Sequence, residues 1–504
     1  MGITTIARKF FAARQKELQR HQRCGAELQE GTLGRLMLRG AHCEYGRGCS
    51  VGDAKGYADF AKRVPVADYE TLKGHIERMR HGERDVLWPG RAKWFAKSSG
   101  TTNDKSKFIP VTAEGLQRVH YRGGRDCVAM YLGWNPGSRM FDGKGLILGG
   151  SHQPNYDTPH SLVGDLSSIL IENINPIVNL VRVPDKKTAL MADFEAKREA
   201  IARQTAGCNV TNISGVPSWM LSVLRRVLDV SGADTIKEVW PGLEVFFHGG
   251  IAFTPYREIY RQLMGGDIHY METYNASEGF FGIQDDPADK AMLLMLDYDV
   301  FYEFIPLSDF GTPGAEPVPL WGVETGVNYA MLITTSCGLW RYSIGDTVMF
   351  TSKDPYKFVI TGRTKYFINA FGEELIQDNA EKALAHACRN TGAKVGEYTA
   401  APVFMDGEGR CRHQWLIEFD EEPVDIAEFS TLLDVKLKEV NSDYEAKRSG
   451  DVTLQAPEVV KARKGLFEDW LKSKGKLGGQ HKVPRLSNTR THMDELLALN
   501  SNPL

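Results

Sequence analysis

Residues 216–250 carry the sequence "VPSWMLSVLRRVLDVSGADTIKEVWPGLEVFFHGG", in which a helix pattern is followed by a strand pattern. Its first part (216–232) has apolar residues at helical spacing and ends in glycine, which predicts an amphipathic helix. Its last part, "GLEVFFHGG" (242–250), is a short apolar run between glycines and predicts a buried strand. "GKGLILGGS" (143–151) and "IHYMETY" (268–274) follow the same strand pattern, and "DFEAKREAIARQTAG" (193–207) is helical. This alternation predicts a largely parallel sheet covered by helices.

The pattern changes on both sides of this central stretch. Residues 1 to about 90 are predicted to be mostly helical, with charged faces. From about residue 291, "AMLLMLDYDVFYEFIP", "YAMLITTSCGLWRYSIGDTVMFT" and "YKFVITGRT" give strand after strand with little helix between. This part predicts an antiparallel sheet or a distorted barrel attached to the first body.

A smaller unit is predicted after Arg363. It contains a helix at 373–392, a hairpin around "DGEGR" (406–410), a second helix at 425–448 and a final strand. We therefore predict an α/β protein. Its large N-terminal domain (1–361) has mixed sheets and a distorted β-barrel-like part, and a small C-terminal α+β domain follows (362–504).

Composition narrows the class of protein. A chain of 504 residues is too long for one ordinary core, and 42% hydrophobic with 25% charged residues is globular. The net charge of −3 argues against broad nucleic-acid binding. The sequence has no apolar run of eighteen residues or more, so no membrane span is expected.

The N-terminus and the cysteines bear on location. The first residues form a basic amphipathic segment, for which a docked helix with a solvated basic face is favoured and mitochondrial targeting stays open. The eight cysteines form no C-x-x-C pair, so zinc ribbons and redox motifs are unsupported. Reduced thiols in a cytoplasmic protein are the expectation.

The segment "SSGTTNDKSK" (98–107) offers three kinds of phosphate donor: hydroxyls, lysines and backbone N–H groups beside a glycine. It is not a P-loop, because the spacing of G-x-x-x-x-G-K-[ST] is absent. From these residues alone, a phosphate loop and a flexible linker are equally supported.

The segment "TYNASEGFFG" (273–282) follows a predicted strand. Glu278 supplies the single carboxylate that Mg²⁺ needs beside phosphate oxygens and water, and Tyr274 could stack on a base. The alternative is a strand-end turn with a solvated glutamate.

Two further segments suggest contacts to a nucleoside. In "LWRYSIGDTVMF" (339–350), Asp346 is predicted to follow a glycine turn between two strands, where a carboxylate can accept ribose hydroxyls. In "FFHGGIAFTP" (246–255), a strand ends in Gly249 and Gly250, which would let a flat ring approach the backbone. Ordinary turns explain both patterns equally well.

The order of these segments resembles the adenylate-forming superfamily, and more closely the Gretchen Hagen family of acyl acid–amido synthetases, which conjugate plant auxin and jasmonate to amino acids. The resemblance covers about residues 57–484. It is carried by "SSGTT", "KFIP", "YNASEG", "YEFIP" (302–306), "WRYSIGD" and "GRTKYFINAFGEEL" (362–375).

The resemblance implies ATP and Mg²⁺ as cofactors and assigns the site by position. Glu278 would hold the metal, Asp346 the ribose, and Lys482 in "GGQHKVPR" (478–485) would be the mobile lysine that meets the acyl-adenylate. Arg363 and Lys365 would form the hinge of the small domain. Lys107 would be the second catalytic lysine, and the remaining nucleotide contacts would come from Arg363, Lys365, Ser98, Ser99, Gly100, Thr101, Thr102, Gly249, Gly250, Tyr274 and Ser277. Asn103 and Asp104 stand where the family often has glycine, and Asn275 also departs from the wider superfamily.

The expected function is therefore activation of a carboxylic acid as an acyl-adenylate, followed by transfer to an amine, with amino acids expected as acceptors. An acyl-CoA ligase with a thiol acceptor and a non-catalytic nucleotide-binding scaffold are the alternatives. The segments 149–170 and 208–220 are expected to line an acyl pocket. The sequence leaves the acid, the acceptor and the oligomeric state open.

Overall fold

The structure is a computed structural model. The residues that it describes are 3–19, 24–98, 107–150, 152–153, 158–250, 253, 256–312, 314–364, 367–368, 373, 375–403, 411–441, 444–445, 448, 454–474, 482–487 and 489–501.

The chain forms two compact units. The first comprises residues 1–344 and 348–359, and the second comprises 345–347 and 360–504. The predicted domain boundary between residues 361 and 362 stays a prediction.

The helices of the first unit include the two on which the opening prediction depended. Both the segment 193–207 and the segment 216–232 are helical, and proline at the first position of the second helix fixes its start. The helices are α1 (Ile3–Leu18), α2 (Gly25–Gly40), α3 (Glu44–Gly48), α4 (Tyr57–Arg63), α5 (Tyr69–Arg80), α6 (Ala113–Gly115), α7 (Tyr121–Trp134), α8 (Leu166–Asn173), α9 (Lys186–Ala189), α10 (Phe194–Ala206), α11 (Pro217–Ser231), α12 (Ile236–Val239) and α13 (Arg257–Met264).

The strands are numbered here in chain order through both units. They are β1 (Trp94–Ser98), β2 (Lys107–Val111), β3 (Lys144–Ile147), β4 (His152–Gln153), β5 (Leu162–Gly164), β6 (Arg182–Val183), β7 (Val210–Gly215), β8 (Val245–Gly249), β9 (His269–Ala276), β10 (Gly279–Ile283), β11 (Met292–Leu294), β12 (Val300–Pro306), β13 (Val318–Pro319), β14 (Asn328–Thr335), β15 (Tyr342–Lys353), β16 (Tyr356–Arg363), β17 (Phe367–Ile368), β18 (Leu375–Ile376), β19 (Lys394–Val403), β20 (Arg412–Glu421) and β21 (Glu458–Lys461).

A single sheet joins the two strand-rich regions that the sequence separated. Among the described residues it has twelve strands in the order β13-β12-β14-β15-β16-β11-β10-β9-β8-β7-β3-β6. Strands β6, β3, β7, β8 and β9 are parallel, whereas β10 and β11 continue the sheet in antiparallel pairing. The predicted α/β class with mixed sheets is confirmed. The two halves are continuous because β9 pairs with β8 on one side and with β10 on the other.

A second sheet of four described strands, in the order β2-β1-β5-β4, carries the candidate phosphate segment. Strand β1 is antiparallel to β2 and parallel to β5, and β5 is antiparallel to β4.

Buried aromatic side chains and one buried ion pair hold the first unit together. Trp340 and Tyr302 are fully buried in its main core. Arg341 Nε donates to both carboxylate oxygens of Glu303, over 3.0 and 2.9 Å. The Tyr57 hydroxyl donates to the same carboxylate over 3.0 Å. A buried charge of this kind needs such partners, since an unpaired one would be strongly destabilising. The pair therefore ties the segment before β15 to β12 and α4.

The N-terminal helix α1 packs against the rest of the first unit, as the docked-helix interpretation of the basic N-terminal segment predicts. Arg14 donates to Asp126 and to Asp297, and Thr4 donates to Asp142 at 2.9 Å. In the described part of the chain, no helix is both long and apolar enough to cross a membrane.

The second unit is the small α+β body that the sequence predicted. Its helices are α14 (Gln377–Thr391), α15 (Ile426–Val440), α16 (Leu466–Ser473) and α17 (Thr491–Ser501). Strands β19 and β20 form an antiparallel hairpin, and β21 adds in parallel to β20. The predicted "DGEGR" turn lies outside the described residues.

Candidate active site

The ends of the candidate phosphate segment are fixed by strand pairing. Ser98, the last residue of β1, is in register with Lys107, the first residue of β2. The Lys107 ammonium lies 5.8 Å from the centre of the Tyr69 ring. The residues between, including Ser99, Gly100, Thr101 and Thr102, lie outside the described residues, so their phosphate-binding role stays a prediction.

The Gly249–Gly250 turn lies at the carboxyl edge of the parallel strands, which is where ligands bind in open α/β sheets. Gly249 is in register with Thr273 of β9, and a Cβ on Gly249 would lie 2.1 Å from the Thr273 carbonyl oxygen. Gly250 has a φ of +81°, a conformation that favours glycine. Both glycines are therefore required by the backbone itself, and this requirement does not depend on a nucleotide.

Glu278 lies in the tight turn between β9 and β10, together with Ser277. Both side chains are buried, with 6% of Glu278 and 3% of Ser277 exposed, so the alternative of a solvated glutamate is wrong. One carboxylate with a neighbouring hydroxyl fits the few protein oxygens that Mg²⁺ takes beside phosphate and water.

The structure places the Tyr274 ring in the core. It is 6% exposed and packs edge-on against Phe281, with 4.9 Å between the ring centres. This placement does not support the predicted stacking of its ring on a base. The side chain takes its position from the strand, because Tyr274 belongs to β9 and faces the main core there.

Asn275 has a partner that the sequence did not indicate. Its amide oxygen lies 3.3 Å from Nδ1 of the buried His120. Burial lowers the pKa of His120 to about 4, against a smaller opposing effect of the hydrogen bond to Asn275. The imidazole is therefore neutral at pH 7. No motif marks His120, since it lies within a helical stretch that the sequence analysis did not assign.

The second unit brings Asp346 and Arg363 into contact. Arg363 Nε donates to Asp346 Oδ1 over 2.6 Å. The predicted position of Asp346, after a turn between two strands, is wrong. Asp346 lies inside the single long strand β15, and Gly345 is accommodated within that strand at a φ of +87°. Glycine in "IGD" therefore marks a local irregularity of a strand rather than its end.

The charges of Arg363 and Asp346 both act on the pKa of Lys482. Loss of hydration and the positive charge of Arg363 lower its pKa, while Asp346 and Glu381 act in the opposite direction. More than a third of the Lys482 side chain remains in contact with solvent, which limits the loss of hydration. The structure therefore groups Asp346, Arg363 and Lys482 in one unit, whereas Lys365 lies outside the described residues.

Glu381 is a member of this charged cluster that the sequence analysis missed. It lies on α14, accepts a hydrogen bond of 2.7 Å from Gln377, and its pKa is raised by loss of hydration. The sequence signal was weak, since a glutamate in an amphipathic helix is usually a solvated surface residue.

Three family domains match this chain in order. The GH3 family N-terminal domain matches residues 14–268, the central domain residues 293–363 and the C-terminal domain residues 378–491. These matches cover most of the 504 residues, so the chain belongs to the GH3 family. The resemblance to the Gretchen Hagen family is thereby confirmed.

Known proteins with a similar sequence or fold include amido synthetases and a CoA ligase. The chain is 26% identical to the indole-3-acetic acid-amido synthetase GH3.8 of Oryza sativa subsp. indica, over 91% of this chain and 87% of the relative. The solved structure of AtGH3.15 acyl acid amido synthetase in complex with 2,4-DB has a TM-score of 0.79 at 18% identity, covering 97% and 96% of the two chains. A 2-hydroxyisobutyryl-CoA ligase in the postadenylation state with 2-HIB-AMP has a TM-score of 0.62 at 14% identity, covering 94% and 92%.

Proposed function

We propose that this chain uses ATP to convert a carboxylic acid into an acyl-adenylate and then transfers the acyl group to an amine, releasing AMP. The enzyme class is the one that the named GH3 relatives carry, an acyl acid–amido synthetase. The observation that carries the proposal for this chain is the cluster of Asp346 and Arg363, on successive strands, with Lys482, which is far from both in sequence.

The first step places a carboxylate oxygen on the α-phosphorus of ATP and expels pyrophosphate. Negative charge accumulates there, so the reaction needs cations and oriented hydrogen-bond donors. Lys107 and Lys482 would supply positive charge, and Asp346 would accept the ribose hydroxyls. Bound Mg²⁺ would neutralise phosphate charge, and Glu278, with Ser277 beside it, is the group that would hold it.

The second step joins the acyl carbon to an amine nitrogen, breaks the bond to AMP and releases a proton from the amine. We propose an amino acid as the acceptor, in line with the family, and an apolar acid as the donor. No covalent link to the protein is needed, because the mixed anhydride of the adenylate is itself reactive. A swing of residues 362–504 about Arg363 and Lys365 would provide different surroundings for the two steps.

A thiol acceptor is the competing proposal, supported by the fold shared with the 2-hydroxyisobutyryl-CoA ligase. The test is to form the adenylate in the absence of acceptor and then add either amino acids or CoA. Release of AMP only with amino acids supports the amido synthetase, and release only with CoA supports the ligase. A scaffold without activity would bind ATP but give no acid-dependent pyrophosphate exchange.

The acid can be found by trapping. Hydroxylamine converts an acyl-adenylate into a hydroxamate, so a screen of aryl and aliphatic acids with ATP and hydroxylamine reports which acid is activated. Failure of every acid would overturn the proposal.

The eight free cysteines support a reducing compartment, and we propose the cytoplasm.

A further inference from the structure

A buried lysine donates hydrogen bonds to the Gly149–Gly150 segment, which lies between a strand of the large sheet and a strand of the four-stranded sheet. Lys197, on α10, is only 2% exposed. Its ammonium donates to the carbonyl oxygens of Gly149 at 2.5 Å and Gly150 at 3.0 Å, and lies 5.2 Å from the Trp219 ring centre. Lysine is rarely buried this fully, since the ammonium must give up its hydration. The contact is therefore unusual enough to call for a reason.

Gly150 is held from both sides. Its N–H donates to Ser167 Oγ over 2.8 Å, while its carbonyl accepts from Lys197. A Cβ on Gly150 would lie 2.0 Å from Asp165 Oδ2, so the backbone at Gly150 is packed directly against that carboxylate. The Asp165 charge raises the pKa of Lys197, but loss of hydration dominates and lowers it to about 8. The lysine is thus still mostly protonated at pH 7.

The Gly149–Gly150 segment leads from one sheet to the other. On its first side, Leu148 N–H donates to the Ser214 carbonyl, which continues the parallel pairing of β3 with β7 in the large sheet. On its other side, His152 of β4 is in register with Gly164 of β5 in the four-stranded sheet. The chain therefore passes from the large sheet to the four-stranded sheet at the Gly149–Gly150 segment.

The second sheet carries the candidate phosphate segment. Gly164 of β5 is in register with Ala96 of β1, two residues before Ser98. The large sheet carries Gly249 and, after β9, Glu278. The Gly149–Gly150 segment thus lies on a chain connection between the sheet that carries Ser98 and the sheet that carries Gly249 and Glu278.

We propose that Lys197 is a positioning residue for ATP, which aligns the strand leading to the phosphate segment with the carboxyl edge of the large sheet. The proposal rests on the proposed function for its substrate. The role of Lys197 is additional to that function, because Lys197 lies outside the residues assigned to the nucleotide. Misplacement by about 1 Å of a positioned group can cost about a hundredfold in rate, and the hydrogen bonds of Lys197 to this segment would limit such misplacement.

The test compares Lys197→Met with Lys237→Met. Lys237 also donates to a backbone carbonyl, that of Leu243 at 2.6 Å. Leu243 precedes β8, so this contact lies at the amino ends of the parallel strands, away from the carboxyl ends where Gly249 lies. We expect Lys197→Met to raise both the KM for ATP in acid-dependent pyrophosphate exchange and the Kd for ATP by about tenfold or more. Lys237→Met should stay within about twofold of the wild type. Lys197→Arg, which keeps the charge, should recover part of the loss.

Two outcomes overturn the proposal. One is a folded Lys197→Met protein with wild-type Kd and KM for ATP. The other is a lowered kcat and melting temperature with an unchanged KM, which is the result of a purely structural role. If Lys197→Met does not fold, Ser167→Ala removes the acceptor of the Gly150 N–H, and an unchanged KM for ATP would then overturn the proposal. If no acid supports exchange in the wild type, the proposed function fails, whereas the Kd comparison still decides the role of Lys197.

Discussion

Arg363 and Asp346 are hydrogen-bonded over 2.6 Å, from the last residue of β16 to the interior of β15. The sequence suggested separate roles for them, hinge and ribose contact. Their contact means that the arginine both orients the carboxylate and offsets its charge. Any ribose contact made by Asp346 therefore depends on Arg363.

The first prediction concerns this pair. Asp346→Ala should raise the KM for ATP by about tenfold or more, because an acceptor for ribose hydroxyls is lost. Arg363→Ala should raise it less. The double variant should be no worse than Asp346→Ala, since the arginine acts on ATP through the aspartate. Pyrophosphate exchange at varied ATP measures all three, and fully additive losses would show that the two residues act independently.

The second prediction concerns Glu278. Glu278→Gln keeps the size of the side chain but removes its charge, so the adenylation rate should fall by about a hundredfold if this carboxylate holds Mg²⁺. The Mg²⁺ concentration giving half-maximal exchange should rise as well.

A matched control for Glu278 is Asp286→Asn, which makes the same kind of change at an exposed carboxylate beyond the other end of β10. It should leave exchange and its Mg²⁺ dependence unchanged. A Glu278→Gln enzyme with the wild-type Mg²⁺ dependence would remove Glu278 from the metal site.

The third prediction concerns Lys482, whose pKa is lowered by loss of hydration and by Arg363. A lysine stabilises phosphate charge only while protonated. The adenylation rate should therefore fall as pH rises, at a pH below the ordinary lysine value of about 10.4. Lys482→Arg should move this fall to higher pH, because arginine stays charged.

Adenylation measured without acceptor amine isolates this effect from ionisation of the amine. Lys482→Ala should lower the rate at pH values where Lys482 is protonated and approach the wild-type rate at alkaline pH, while Lys461→Ala, at an exposed lysine of the same unit, should leave the rate unchanged. An alkaline fall that is identical in Lys482→Arg would assign it to another group.

The fourth prediction concerns stability at low pH. Burial lowers the pKa of His248 to about 3, so the folded protein holds it neutral while the unfolded chain takes up a proton below about pH 6.5. The unfolded state then binds more protons, and the free energy of unfolding falls as pH drops from 6.5 towards 3. Between pH 7 and pH 5 this residue should account for a loss of about 2 kcal/mol.

His248→Phe keeps a ring against Phe253, whose centre lies 4.2 Å from that of the imidazole, but removes the titrating group. Urea unfolding at pH 7 and pH 5 should show a smaller difference for this variant than for the wild type. His81→Phe, at an exposed histidine, should keep the full difference. Equal differences in all three proteins would show that His248 does not contribute to acid destabilisation.

The local elements followed from the sequence because each depends on periodicity and on capping residues close in the chain. The helix at 217–231 and the strand at 245–249 illustrate this. The strand ending at Gly249 and Gly250 was predicted correctly, and the structure adds why both must be glycine: the approach of the Thr273 carbonyl and a positive φ. Local pattern failed at Asp346, where a glycine inside a strand looks the same in sequence as a glycine in a turn.

The alternation of helix and strand, the small C-terminal α+β unit and the order of the motifs behind the family resemblance were all predictable from the amino-acid sequence. Three features became visible only in the folded chain: one sheet runs through both strand-rich regions, the Tyr274 ring lies in the core, and Lys197 donates to the segment between two sheets. They were not predictable because burial and pairing are made by residues far apart in the chain, such as Lys197 with Gly149 or Arg341 with Glu303. Short-range periodicity carries no information about such partners.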